Sequence, residues 1–246
     1  MKRINITSLL VLFCLALASS QEALITDRPD LTESASVLEP GQLQIETGTL
    51  LEIDALSKTW TLNSSLFRYG VAKNLELRLV TELVQSKDRI DFRRKGIADL
   101  QIGAKYRIVK GPVQVSYLGH LFLPTGSETF TNGAIGISNK IAIDGDLSER
   151  IATGVNLGID NFKGNNTSYS FTWAIGISLT EKIGYFIELF GDFENTSAIN
   201  PYFDMGFTYL ASNDIQLDFS FGSDLESSRD YNFWSAGVSW RIVNSE

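Results

Sequence analysis

Apolar or aromatic residues alternate with polar or small residues along the chain after position 41, in segments of about ten residues. The alternation is clearest over residues 75–79, 151–159, 169–179 and 234–242. Successive side chains of a β-strand point to opposite faces, so each segment predicts a strand with one apolar and one polar face. A succession of such strands is typical of an antiparallel up-and-down β-barrel that spans an outer membrane.

Residues 1–20 have the composition of a secretory signal peptide. Lys2 and Arg3 precede a mostly apolar stretch over residues 6–17, and small residues follow, with cleavage expected after Ala18 or Ser20. The apolar stretch is too short to span a bilayer comfortably. Cys14, the only cysteine, lies within this leader. We therefore expect an exported chain without disulfides or cysteine metal ligands.

The chain is acidic, with a formal net charge of −8, and it has no basic stripe. Such a chain is a poor ligand for nucleic acid, so no nucleic-acid partner is expected. No uncharged apolar stretch of about eighteen residues follows residue 20, which argues against a transmembrane helix. We divide the chain into a signal peptide (1–20), an irregular N-terminal lead (21–41) and a barrel (42–246).

About twelve strands are expected, an even number, as closure of an up-and-down barrel with both ends on one side requires. Short turns alternate with longer polar links such as residues 87–96 and 125–133, the pattern of periplasmic turns and external loops. Aromatic residues near strand ends, among them Trp60, Tyr202 and Phe233, predict interfacial girdles, although strands favour aromatic residues in general. The predicted strands are 42–53, 58–69, 74–86, 97–109, 112–123, 134–144, 149–160, 167–180, 182–194, 200–211, 214–224 and 231–243.

Charged residues fall on the polar face of these strands, away from the lipid side, where Arg or Lys would cost about 2–4 kcal/mol. The third and fourth strands carry both signs and predict a network of ion pairs, whereas the ninth to eleventh carry mainly acids. The predicted lumen charge network consists of Arg68, Glu76, Arg78, Glu82, Asp99, Lys105, Arg107, Glu188, Asp204, Asp218 and Arg241.

The lead contains a compact group of charges around a proline, namely Asp27, Arg28, Asp30 and Glu33. The proline restricts the backbone and the group carries both signs. One interpretation is a short plug inside the barrel that pairs with arginines of the lumen. The other is a solvated tail on the periplasmic side.

His120 is the only histidine, and strand parity turns it toward the lumen. Hydrolysis would require a nucleophile and a base in contact, and the sequence locates no partner for it. We therefore interpret His120 as a wall residue and predict no catalytic, metal-binding or cofactor-binding residues. The basic stretch at residues 91–95 is solvated, contacts lipopolysaccharide phosphates or steers an anion.

Several stretches resemble a known family. Two lie at the start of the mature chain, Thr26-Asp27-Arg28-Pro29-Asp30-Leu31-Thr32-Glu33-Ser34 and Pro40-Gly41-Gln42-Leu43-Gln44-Ile45-Glu46. The others are Arg68-Tyr69-Gly70-Val71 with Asn74-Leu75-Glu76-Leu77-Arg78, Pro124-Thr125-Gly126, and Leu217-Asp218 before Gly222. The chain is similar to the outer-membrane transporters labelled "putative MetA-pathway of phenol degradation". This resemblance covers nearly the whole mature chain. It implies a channel or transporter for aromatic or other small hydrophobic compounds, and it brings no catalytic residues.

We expect an outer-membrane barrel that acts as a passive channel or transporter for small solutes. The alternatives are a non-conducting structural or surface-interaction barrel that works through its loops, a barrel hydrolase, and a soluble secreted β-sandwich. The first interpretation implies contact with outer-membrane lipid and lipopolysaccharide, and with the barrel-assembly machinery during biogenesis. No cofactor is expected.

Overall fold

The computed structural model describes residues 22–90, 92–162, 166–194, 199–226 and 230–242, so the predicted signal peptide lies outside the described residues. No helix in this part of the chain is long and apolar enough to cross a bilayer. The described strands are β1 (Leu43–Ile53), β2 (Ser57–Ala72), β3 (Leu75–Asp88), β4 (Arg93–Ile97), β5 (Leu100–Val109), β6 (Val113–Leu123), β7 (Gly136–Ser148), β8 (Ile151–Phe162), β9 (Asn166–Ser178), β10 (Ile183–Glu194), β11 (Asn200–Ser212), β12 (Ile215–Asp224) and β13 (Asn232–Ile242).

These strands form one closed antiparallel sheet. Each strand pairs with a neighbour in sequence, and β1 also pairs with β13. β4 and β5 both pair with β3, β4 opposite residues 83–87 and β5 opposite residues 75–80. The two therefore act as one barrel strand interrupted at Ala98 and Asp99, and the closed barrel has twelve strand positions. The predicted fold class is confirmed.

The two ends of the barrel differ in their connections. Short links over residues 73–74, 110–112, 149–150, 179–182 and 213–214 lie at the end where β1 begins and β13 ends, which we call the turn end. The opposite end is the loop end. The loop expected over residues 87–96 is wrong in part, because β3 continues to Asp88 and β4 begins at Arg93. Backbone ladder hydrogen bonds do not depend on apolar side chains, so a charged hairpin extends this edge of the barrel.

Polar and charged side chains are buried inside the barrel and apolar side chains are exposed on its outside, the reverse of a soluble protein. The largest fully buried side chains point inward and most are polar or charged, with Arg68 and Lys105 the largest. On the outer face, Leu77, Leu157 and Phe207 are 50%, 56% and 52% exposed. An apolar exterior around a polar interior is what a surrounding lipid bilayer requires.

The aromatic residues near strand ends divide between the two faces. Trp60, Tyr69 and Trp240 are exposed on the outer face, where an interfacial girdle lies. The girdle prediction is wrong for Tyr202 and Phe233, which face the lumen. Tyr202 stacks on the inward Phe190, and Phe233 is buried. Adjacent residues of a strand point to opposite faces, so Phe233 and its neighbour in the chain cannot both meet lipid.

Candidate functional site

Residues 22–41 lie inside the barrel, and we call them the lumen segment. The segment enters at the turn end, where Leu24 N donates to Asn213 O (2.8 Å), and returns there, where Gly41 N donates to Gly70 O (2.8 Å). It contains no helix or strand. Its buried backbone groups therefore need partners from the barrel wall. Of the two locations left open by the sequence, the structure places residues 22–41 of the lead in the lumen.

Wall side chains bind the backbone of the lumen segment on several sides of the barrel. Period-two alternation directs every second residue of each strand inward, so polar groups from distant strands converge on one segment. The bonds run from Leu31 N to Glu188 (2.8 Å), Glu33 N to Asn156 (2.7 Å), Ala35 N to Asp144 (3.1 Å), Leu38 N to Glu76 (3.1 Å) and Lys105 Nζ to Ser34 O (2.7 Å). These bonds replace the hydrogen bonds that regular secondary structure would have supplied.

Asp27 is the centre of an ionic network. Its carboxylate lies 2.7 Å from Arg78 Nη1, 2.9 Å from Lys105 Nζ and 3.5 Å from Arg68 Nη1. The three cations come from the neighbouring strands β2, β3 and β5. Burial by itself would raise the pKa of the Asp27 carboxyl, but Arg68, Lys105 and Arg78 hold that pKa well below its usual range. Asp27 is therefore an ionised anchor of the segment.

Glu33 is the second anionic anchor of the lumen segment. Its carboxylate lies 2.6 Å from Arg78 Nη2 and 2.9 Å from Lys140 Nζ. Burial alone would raise the pKa of Glu33, but Lys140 and Arg78 hold it well below its usual range. The whole network joins Asp27, Glu33, Glu46 and Glu76 to Arg68, Arg78, Lys105 and Lys140. Its charges balance, and the segment supplies two of the four carboxylates.

Arg28 ties the tip of the segment to another sector of the wall. Its Nη2 atom lies 2.9 Å from Asp218 Oδ1 and 2.9 Å from Ser235 Oγ. The guanidinium lies over Gly48 and Gly237, where an added Cβ would come within 2.6 Å of Arg28 Cζ. These two glycines therefore leave the space that the bound guanidinium occupies.

Glu188 and Asp204 form an acidic sector of the wall opposite β3. They are fully buried cross-strand partners on β10 and β11. Glu188 accepts hydrogen bonds from Leu31 N (2.8 Å) and Thr32 Oγ1 (2.5 Å). Asp30 lies beside this pair, and its burial together with the charge of Glu188 raises the pKa of Asp30 well above its usual range. The lumen thus has an acidic sector facing a basic one.

Four residues of the predicted network have local partners instead, at strand ends, turns or adjacent strands. Ser64 Oγ donates to Glu82 (3.0 Å), Gly126 N and Asn132 N donate to Asp99 (2.9 and 2.8 Å), Arg107 donates to Lys73 O (2.7 Å), and Arg241 pairs with Asp214 (2.8 Å) and donates to Glu22 O (2.6 Å). Their contacts hold the ends of the barrel and the entry of the segment.

Glu46, Lys140 and Asn156 bind the lumen segment but were not part of the predicted site. All three have the inward parity of their strands, so the period-two pattern contained the signal. The course of the segment decides which inward residues it meets. His120 accepts a hydrogen bond from Arg78 Nε (3.2 Å) and is 8% exposed. The only histidine therefore contacts a cation of the network.

A closed antiparallel barrel with an apolar exterior and a polar interior defines the class of outer-membrane β-barrel proteins. The chain belongs to the family described as "Putative MetA-pathway of phenol degradation", whose model matches residues 26–242. The match includes most of the lumen segment as well as the barrel, and the resemblance noted from the sequence is confirmed. A search of curated protein sequences found no significant match.

Solved structures of outer-membrane channels share this architecture. The COG4313 outer membrane channel from Pseudomonas putida F1 matches with a TM-score of 0.72 and 13% identity, over 87% of this chain and 100% of that chain. The NanC porin matches with a TM-score of 0.57 and 8% identity, over 81% and 100%. The CymD monoaromatic hydrocarbon channel matches with a TM-score of 0.50 and 9% identity, over 85% and 90%. At these identities the likeness establishes the fold.

Proposed function

We propose that this protein is a passive outer-membrane channel for small solutes and that the lumen segment is its gate. The observation that carries the proposal is the course of residues 22–41, which cross the interior and bind several sectors of its wall. A barrel of twelve strands is wider than the eight-stranded kind that side chains alone can fill. Displacement of the segment therefore opens the lumen.

The family and the fold favour a channel over the alternatives. The solved structures that share the architecture are named as channels or porins, and one is named for monoaromatic hydrocarbons. A barrel hydrolase would need a nucleophile beside a base, whereas the only histidine contacts Arg78. We also propose that residues 1–20 direct export and that the barrel-assembly machinery inserts the barrel into the outer membrane.

The open lumen would have two walls of opposite charge. Once the segment leaves, Arg68, Arg78, Lys105 and Lys140 face only Glu46 and Glu76 within the network. The acidic sector then presents Glu188, Asp204 and Asp218 without Arg28. Opposed charges across a pore orient dipolar solutes and set ion preference. Small dipolar or neutral molecules are therefore better cargo than large ions of either sign.

A reversible cross-link tests whether the segment is the gate. Thr32 Oγ1 lies 2.6 Å from Thr172 Oγ1 on β9, so a Thr32→Cys/Thr172→Cys variant can join the segment to the wall. The only natural cysteine, Cys14, lies in the leader. We expect oxidation to reduce sugar permeation in a liposome-swelling assay to the rate of protein-free vesicles, and reduction to restore the rate that the double variant had before oxidation.

The single variants Thr32→Cys and Thr172→Cys serve as controls, because neither can form the cross-link. Their permeation rates should be insensitive to oxidation, and they report the effect of losing the hydrogen bonds of Thr32 and Thr172 without a cross-link. If the oxidised double variant still passes solute at the rate of its reduced form, the segment is not the gate and the pathway lies elsewhere in the barrel.

A further inference from the structure

Arg107 is a buried cation without an anionic partner. Its side chain points into the lumen from β5, near the turn end, and is 5% exposed. Its Nη2 atom donates to Lys73 O (2.7 Å) and Asn74 Oδ1 (3.2 Å), which are neutral oxygens, and its Nε atom is buried without an acceptor. Arg107 forms no ion pair with any residue that the structure describes. A buried charge without a partner is costly, so Arg107 leaves a place for an anion.

Arg107 lines a cavity of about 360 Å³ at the turn end, which we call the turn-end cavity. The lumen segment borders this cavity at two places, with residues 22, 23 and 25 where it enters and with residues 36–39 where it returns. The remaining lining residues belong to the barrel wall and the links next to it. An apolar cavity of roughly 150 Å³ is large enough to bind benzene, so the turn-end cavity has room for a small organic molecule and water.

The other charges of the turn-end cavity do not neutralise Arg107. Lys110 is an exposed cation, and the two other arginines of the lining already pair with carboxylates. The lining also contains Glu22 and Glu39, but both residues are exposed and neither forms an ion pair in the described part of the chain. Exposed charges are screened by water and compensate a buried charge poorly. The wall side of the cavity therefore keeps an uncompensated positive charge.

Apolar side chains of the lumen segment form another part of the lining. Ile25, Val37 and Leu38 border the turn-end cavity, and Ile25 is 51% exposed although it lies inside the barrel. Removal of such apolar surface from water is favourable, so a ligand with a hydrocarbon part gains from contact with it. A phosphate ion, whose surface is polar on all sides, has no such gain. The lining therefore suits an anion with a short hydrocarbon chain better than an inorganic anion.

We propose that the turn-end cavity binds small aliphatic monocarboxylates. The carboxylate contacts the guanidinium of Arg107, and the hydrocarbon chain packs against Ile25, Val37 and Leu38. A guanidinium is a planar donor group whose geometry matches a carboxylate, and hydrogen bonds between two charged groups are among the strongest in proteins. The exposed Lys110 adds a positive potential that attracts an anion toward the cavity.

A bound carboxylate also stabilises the closed position of the lumen segment. It contacts both limbs of the segment and the wall, and the cavity exists only while the segment lies in the lumen. A ligand shifts a conformational equilibrium toward the state that binds it better. This effect rests on the proposed function, whereas binding itself does not. We expect butyrate on both sides of a planar bilayer to lower the open probability of single channels as binding saturates.

Titration calorimetry with sodium butyrate tests the site on the purified protein in a non-ionic detergent. We expect saturable butyrate binding, with butyramide, the neutral analogue, and inorganic phosphate each at least about tenfold weaker. Arg107→Gln should weaken butyrate binding about tenfold or more, because a charge-assisted hydrogen bond is lost. Arg107→Lys keeps the positive charge and should retain part of the affinity.

Gln114→Glu is a second test, which leaves the bonds of Arg107 to the neighbouring turn in place. It replaces an amide of the lining by a carboxylate of the same shape, which repels an anionic ligand and should abolish butyrate binding. Gln101→Glu makes the same change on the inward face of β5, roughly 20 Å along the strand from Arg107, and should leave binding unchanged. Lys182→Gln removes an exposed cation of the turn end that does not line the cavity and should also leave binding unchanged.

The outcomes separate the site from the channel. Equal butyrate binding by the parent, Arg107→Gln and Gln114→Glu would overturn the site. Butyramide or phosphate that binds as tightly as butyrate would overturn the assignment to carboxylates. Saturable butyrate binding that Gln114→Glu abolishes and Gln101→Glu retains supports the site even if the barrel never conducts. Butyrate binding without any change in open probability would contradict the effect on the gate and leave the site standing.

Discussion

Deletion of residues 22–38 is expected to give a barrel that conducts ions in discrete steps across a planar lipid bilayer. The deletion removes the part of the lumen segment that carries Asp27, Arg28 and Glu33, and with it the contacts that cross the interior. The strands do not depend on the segment for their ladder hydrogen bonds. We expect single-channel conductance on the order of tenfold or more above that of the intact chain, because a wide polar lumen then becomes continuous.

The intact chain, refolded and inserted in the same way, is the control for this deletion. Heat-modifiable migration on a gel should first establish that both proteins are folded. A folded deletion variant that remains silent would show that the wall itself closes the lumen, and it would move the interpretation toward a structural barrel. Reversal potentials in a salt gradient would then be uninformative, whereas in a conducting variant they report the balance between the basic and acidic sectors.

Asp27→Asn is expected to release the segment without removing it. The carboxylate lies within 3.5 Å of three cationic side chains, so its neutralisation leaves Arg68, Arg78 and Lys105 with an uncompensated positive charge. Breaking a buried ion pair by removing one partner costs about 3–5 kcal/mol. The equilibrium between the bound and displaced segment should shift by roughly a hundredfold or more toward displacement. The open probability in single-channel recordings measures this shift.

Glu39→Gln is the matched control for Asp27→Asn. It makes the same change of charge in the same segment, but Glu39 is exposed to solvent near the turn end. We expect its open probability to equal that of the parent, because exposed charges contribute little to binding. Equal open probabilities for Asp27→Asn and Glu39→Gln would show that the ionic network does not hold the gate.

The inward or outward orientation of the strand residues could be predicted from the sequence, because it depends only on each residue's position along its own strand. Alternation of apolar and polar residues sets which side chains meet lipid, and a residue such as Arg78 or Glu188 has no alternative to the interior. The same rule places Phe233 in the lumen, where the aromatic grouping near strand ends wrongly predicted a girdle. The extent of β3 and β4 was missed because ladder hydrogen bonds continue through charged residues beyond the membrane.

The position of residues 22–41 inside the barrel could not be predicted from the sequence and depends on the tertiary structure. Residues 22–41 have no periodicity, and their backbone meets its partners only where strands distant in sequence converge, as Asn156 and Glu188 do. The sequence alone determined a closed barrel with a charged interior, because strand parity acts residue by residue. Only the closed barrel determined that Asp27 meets Arg68, Arg78 and Lys105 at one point, because such a contact depends on chain segments brought together across the lumen.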